Sequence, residues 1–238
     1  LSAQRHNLFT VGDVKQRVCK ICQQPDSVTV GASYDVSASK NYYNVVSQKN
    51  YVLCDGAIES QIILDNAEGT RRQVLNVVEV DTANTGVEIL PGYYGIDKDL
   101  SNSKNWSARI VEVTMDYYRD ELNYNVVAGM NTALSYQTDA PCYFMVYNGK
   151  VLAKPGSVYN DNCETYLAVT KNADGTVNCE LRSINEPLTG NEWQAVAANF
   201  GFMVKDGKLV NKKVSRSGGG YHSMIGIKKD GSLMLVQN

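Results

Sequence analysis

Residues 221–238 read YHSMIGIKKDGSLMLVQN, and their pattern decides what kind of fold this chain builds. Two short apolar runs flank Lys229-Asp230-Gly231. Asp-Gly between alternating runs specifies a tight β-hairpin, because the turn needs positive φ and glycine supplies it without steric cost. The same signal recurs at Asn148-Gly149, Asp174-Gly175 and Asp206-Gly207, so strands are expected to dominate the C-terminal half. The sequences flanking the four turns share no register, which argues against an internal repeat.

Working upstream, residues 61–81, QIILDNAEGTRRQVLNVVEVD, read as strand, turn and strand, with β-branched residues alternating around Glu68-Gly69-Thr70. Between Ser107 and Leu122, Val111, Met115, Tyr118 and Leu122 recur at helical spacing. Such a stripe predicts an amphipathic helix packed on a sheet. NVVAGMN, residues 125–131, follows as a short buried strand. Near the start, Val11, Val14, Val18 and Ile21 also fall at helical spacing behind Thr10, predicting a helix over residues 10–22. The stretch at 31–50, rich in Ser, Asn and Tyr, reads as a polar linker. The expected organisation is an N-terminal helix and linker over 1–50 and a domain over 51–238. The expected fold is α+β, a mixed and largely antiparallel sheet with one main amphipathic helix.

With 238 residues, 43% of them apolar and 20% charged, the chain is long enough to bury a sizeable core. A formal charge of −2 without any Lys/Arg-rich block gives no field for nucleic acid. No window approaches the roughly 20 apolar residues of a membrane helix, and the first fifteen residues lack a signal-peptide pattern. Six cysteines, Cys19, Cys22, Cys54, Cys142, Cys163 and Cys179, permit up to three disulfides without requiring any. Cys19 and Cys22 form the single C-x-x-C pair, and no second pair or suitably spaced histidines complete a zinc site.

G-x-S-x-G, H-E-x-x-H, Walker and G-x-G-x-x-G patterns are missing. Ser215 to Gly220, SRSGGG, is suited to cradle an anion through backbone amides, with Ser217 and Gly218 at its centre, or to serve as a plain loop between strands. Glu79 and Asp81 stand two apart on a strand, so both side chains share one face and form a candidate site for a divalent cation. The alternative leaves Glu79 facing solvent and Asp81 capping the turn at DTANTG. Tyr93, Tyr94, Trp106 and Trp193 are aromatic candidates for stacking on a sugar or for the core.

Read in order, YVLCDGAIESQIILDNAEGTRRQVLNVVEVD (51–81), NVVAGMNTAL (125–134), FMVKDGKLV (202–210) and HSMIGIKKDGSLML (222–235) resemble the phosphodiester glycosidase family. Gly129-Met130-Asn131 and the terminal Ile-Gly-Ile hairpin carry most of the likeness. In that family the hairpin is followed by an Asp-Gly-Arg segment, a helix and an Asp-Gly-Gly-Gly-Ser motif, none of which lies within these residues. The resemblance therefore implies an incomplete domain whose last strand is left unpaired. Its partner would belong to a second polypeptide, or to a segment cleaved away or left out of these residues, since an unpaired apolar edge invites aggregation. His222 also stands where the family usually has Arg, and histidine grips phosphate only when protonated.

The resemblance implies hydrolysis of a sugar-1-phosphodiester on a glycan or wall polymer by an exported or cell-surface protein. Phosphate departs well from an anomeric carbon, so hydrogen-bonding and cationic groups matter more than a strong acid. Asn131 and His222 take the catalytic positions. Gly129, Thr132, Ser217 and Gly218 take the substrate-binding ones. A different class of reading keeps the scaffold without the chemistry, as a glycan-binding or surface-assembly protein, and His222 in place of Arg favours it.

Overall fold

The structure is a computed structural model, and its described residues are 6–13, 42–134, 139, 143–153, 163–199, 201–210 and 223–238. Three antiparallel sheets carry the fold. The first contains β1 (His6–Asp13) between β5 (Val87–Gly92) and β6 (Asn125–Leu134). The second is built from β2 (Tyr42–Cys54), β3 (Ala57–Asn66), β4 (Arg72–Val80), β14 (Ser223–Ile227) and β15 (Leu233–Gln237), in the order β14-β15-β4-β3-β2. In the third the order is β10-β9-β11-β7-β8. Its strands are β7 (Met145–Tyr147), β8 (Lys150–Ala153), β9 (Cys163–Lys171), β10 (Val177–Ser183) and β11 (Glu192–Asn199). A small exposed hairpin pairs β12 (Val204–Lys205) with β13 (Lys208–Leu209).

All four turns expected from Asn-Gly and Asp-Gly join paired strands. Asn148 and Gly149 adopt φ of 51° and 75°, and Asp206 and Gly207 adopt 52° and 71°. At the other two turns only the glycine crosses over, Gly175 at 91° and Gly231 at 90°. There the preceding aspartate caps the turn, accepting from the Thr176 and Ser232 amides. Glycine is required at these places because a Cβ would be strained in that region.

The helix expected between Ser107 and Leu122 is α1 (Val111–Asp120), with Glu112 in its first turn and Arg119 in its last, both favourable to the helix dipole. It buries Tyr117 and Tyr118 and lies over β6. The three sheets share one apolar core. Val80, Leu233 and Leu235 of the second sheet meet Ile89 and Met130 of the first and Leu167, Val169 and Val196 of the third. Each such side chain contributes about 1.5–3 kcal/mol on burial.

Three expectations are corrected. The class is β-rich and antiparallel, not α+β: among the described residues strands make up 54% against 8% helix. One ten-residue helix cannot form a layer of its own beside three sheets. Residues 10–13, placed in a helix by the spacing of their valines, belong to β1, where pairing with β5 and β6 on both sides overrides local periodicity; residues 14–22 lie outside the described residues. Finally, the terminal strand is not an unpaired ribbon. β15 is bonded to β14 on one side and β4 on the other, both from this chain. Among the described residues the outermost strand on that side is β14.

Candidate functional site

Register alone builds a graded face across the second sheet. Ala57, Val80, Leu233 and Ile227 stand side by side in one row, buried or packed against the shared core. The next row is Tyr51, Glu59, Val78, Leu235 and Ile225, and the one beyond is Lys49, Gln61, Asn76, Gln237 and Ser223. Directly opposed residues in antiparallel strands project to the same face. The face that begins as core therefore becomes polar within two steps, and Gln61 Nε2 donates to Asn76 Oδ1 at 3.4 Å.

Opposite this face runs β6, covered by α1. Between them lies a cleft of about 320 Å³, with Glu59, Asn76 and Gln237 as its polar lining and Val78, Leu235 and Met115 among its apolar lining. Residues 127–130 of β6 form the far wall. Gly129 explains how helix and strand come so close. A Cβ there would meet Met115 Sδ at 3.1 Å and Val111 Cγ1 at 3.4 Å. Met130 turns the other way, into the shared core.

Alternation puts Asn131 on the same face of β6 as Gly129, and its buried Oδ1 has no hydrogen-bond partner among the described residues. Thr132 follows it at the end of the strand, half-buried and engaged in interactions of its own. β14 packs beside β6 and begins one residue after His222. His222, Ser217 and Gly218 themselves lie outside the described residues.

Glu79 and Asp81 are occupied separately. Glu79 Oε1 accepts from Lys228 Nζ at 2.6 Å, while Asp81 Oδ1 accepts from the Ala83 amide at 2.9 Å. Asp81 thus caps the DTANTG turn, and Glu79 is neutralised by an ammonium. Among the described residues no group of three or more His, Cys, Asp or Glu could hold a metal ion.

The aromatic candidates divide. Tyr93 is core: its hydroxyl accepts from the Ser107 amide at 2.8 Å and donates to the Asp139 carbonyl at 2.5 Å, and burial pushes its phenol above the ordinary range. Trp106 donates its Nε1 to the Leu100 carbonyl. Tyr94 stacks on Tyr117 and carries Lys98 and Arg109 near its ring, and Lys171 lies over Trp193. Cys54, Cys163 and Cys179 are buried thiols, and burial pushes Cys179 up to about 12, so it stays protonated at neutral pH. Cys19, Cys22 and Cys142 lie outside the described residues.

Glu59, Asn76 and Gln237 were not singled out by sequence reasoning. A signal did exist: each is a polar residue at the inward parity of its strand, two positions from Ala57, Val78 and Leu235 respectively.

Comparison with protein families places the likeness on this part of the molecule. Residues 124–237 match the family model described as phosphodiester glycosidase, so the resemblance drawn from the sequence is shown over this stretch, from β6 to β15. No curated protein matches the chain.

Proposed function

We propose, taking the phosphodiester glycosidase match over residues 124–237 as premise, that the chain hydrolyses a sugar-1-phosphodiester of a glycan or wall polymer outside the cell. Water adds at the anomeric carbon, the bond from that carbon to the phosphate oxygen breaks, and free sugar and a phosphate monoester leave. The observation that carries the reading is that two segments of the matched stretch, Gly129-Met130 on β6 and Leu235 to Gln237 on β15, wall one cleft although they are far apart in sequence.

Asn131, whose Oδ1 has no partner among the described residues, accepts a hydrogen bond from a hydroxyl of the substrate and fixes it for attack. Gly129 lets α1 close on the strand that carries Asn131, and Thr132 extends that edge. His222, when protonated, stabilises charge on the departing phosphate, and the amides of Ser217 and Gly218 add to that anion site. A polypeptide that completes the site would join the sheet at β14, the outermost strand on that side among the described residues.

Release of free sugar from UDP-N-acetylglucosamine or an N-acetylglucosamine phosphodiester tests the reading, with Asn131→Ala and His222→Ala losing turnover. His222→Arg, which restores a permanent cation, extends activity toward alkaline pH. No release by the chain, alone or with a complementing segment, moves the weight to a glycan-binding role for the same scaffold.

A further inference from the structure

The geometry points to the cleft between β6, α1 and the β3–β4–β15 face as the seat of a neutral sugar ring, with Glu59, Asn76 and Gln237 as its specificity-determining contacts. Glu59 and Asn76 lie outside residues 124–237, so the family match says nothing about them. The assignment rests on the hydrolase reading only for the chemical step; the binding argument stands on the cleft itself.

Size comes first. About 320 Å³ is the lower end of the range for ligand pockets, roughly 300–1,000 Å³, which suits one ring and excludes an extended chain lying within it. Chemistry comes second. Val78, Leu235 and Met115 offer an apolar surface to the C–H face of a pyranose, while a carboxylate and two carboxamides stand at its border. Carboxylates accept and carboxamides both donate and accept, which matches adjacent hydroxyls that do both. Charge comes third. Among the described lining residues there is no Lys or Arg, and Glu59 is one of them, so these residues favour a neutral ring over an anionic group.

Backbone contributes as well. Among the described residues β6 is bonded to a strand along one edge only, that of β1, and its residues 127–130 line the cleft. Main-chain groups on the other edge are available to a ligand in the way that strand edges generally are. The polar row Gln61, Asn76, Gln237 and Ser223 continues outward from the cleft, giving the next unit of a glycan a surface to follow.

The test measures binding apart from turnover. N-acetylglucosamine, glucose and inorganic phosphate are titrated into the full chain and followed by saturation-transfer NMR. A neutral sugar binds and inorganic phosphate does not compete with it. Glu59→Gln and Asn76→Ala each weaken the sugar about tenfold or more, as expected for lost contacts to a polyhydroxylated ligand. Gln237→Trp, at an exposed rim position, blocks binding without disturbing the core, which an unchanged thermal transition verifies. Unaltered sugar affinity in all three variants, or displacement of the bound sugar by inorganic phosphate, overturns the assignment. So does capture of an extended strand-forming peptide with no sugar bound, which would make β6 an edge for strand addition. Failure of the two readings is distinguishable: wild-type turnover with unchanged KM in the variants sinks the cleft alone, whereas sugar binding lost in the variants without wild-type turnover sinks the hydrolase alone.

Discussion

Lys228, just past the end of β14, donates from Nζ to Oε1 of Glu79 on β4 across 2.6 Å, joining residues 149 positions apart. The pair ties the terminal hairpin to β4, an upstream strand of the same sheet. Side-chain exposures of 33% and 24% put it between a surface pair and a buried one. A double-mutant cycle with Lys228→Met and Glu79→Gln, followed by urea unfolding, is expected to give a coupling of about 0.5–1 kcal/mol that shrinks at high salt. Zero coupling would mean that backbone pairing and the burial of Leu233 and Leu235 hold the hairpin without help from the ion pair.

Glu192 gives the chain an acid-sensitive staple. Burial pushes its carboxyl up, but hydrogen bonds outweigh that and hold it at about 2, with donors at the Thr189 amide, the Thr189 hydroxyl and the Gly190 amide. Arg182 Nη1 adds a charged contact at 2.7 Å. The folded value lies below the ordinary glutamate value of about 4.3. Its stabilisation is therefore complete above that value and is lost as pH falls toward about 2. Glu192→Gln should flatten the pH dependence of stability in that window. Glu192→Ala, which leaves Arg182 paired with Glu180 but removes the acceptor of the Thr189 and Gly190 donors, should cost about 1–3 kcal/mol.

Gly129 has an ordinary negative-φ backbone, so what it contributes is space. Gly129→Val drives a branched side chain into Met115 and Val111 and is expected to cost about 1–3 kcal/mol by overpacking. Met115→Ala in the same chain should return part of that loss, because the Met115 sulfur is the nearest obstacle. Thermal unfolding of the single and double variants measures both.

Much of the β architecture could be read from turn chemistry, and the reason is local. Asn148-Gly149 and Asp230-Gly231 fix φ at the turn itself, and the pairing on either side follows from it. The helix was legible because Val111, Met115 and Tyr118 face one way at helical spacing. β1 was not, since valines at 11 and 14 fit a helix on one side as well as a strand, and only partners from β5 and β6 decide between them. Nor could the sequence show that the last strand is interior, because its neighbour β4 lies about 150 residues upstream. The cleft is a still longer-range object. Asn131 was legible as a polar residue closing an apolar strand, but Glu59, Asn76 and Gln237 come from three strands and meet only through register.

Tyr118 locks the approach of α1 to the sheet. Fully buried, it donates to the Pro91 carbonyl at 2.5 Å and accepts from the Tyr93 amide at 3.4 Å. Burial raises its phenol well above the ordinary value, so the donor is kept throughout the accessible pH range. Tyr118→Phe retains the packing and removes both contacts, and is expected to lower stability by about 1–2 kcal/mol in denaturant titrations.

The central claim is that this scaffold releases sugar from a phosphodiester through Asn131 beside the β6 cleft. The most direct measurement is the initial rate of free-sugar release from an N-acetylglucosamine phosphodiester by the wild-type chain and by Asn131→Ala, each with and without a complementing segment. The account predicts release by the wild type and a loss of about a hundredfold in Asn131→Ala with the fold intact, the scale seen when a hydrogen-bonding group at the reacting centre is removed. Equal rates in the two proteins, or no release from either, would contradict it.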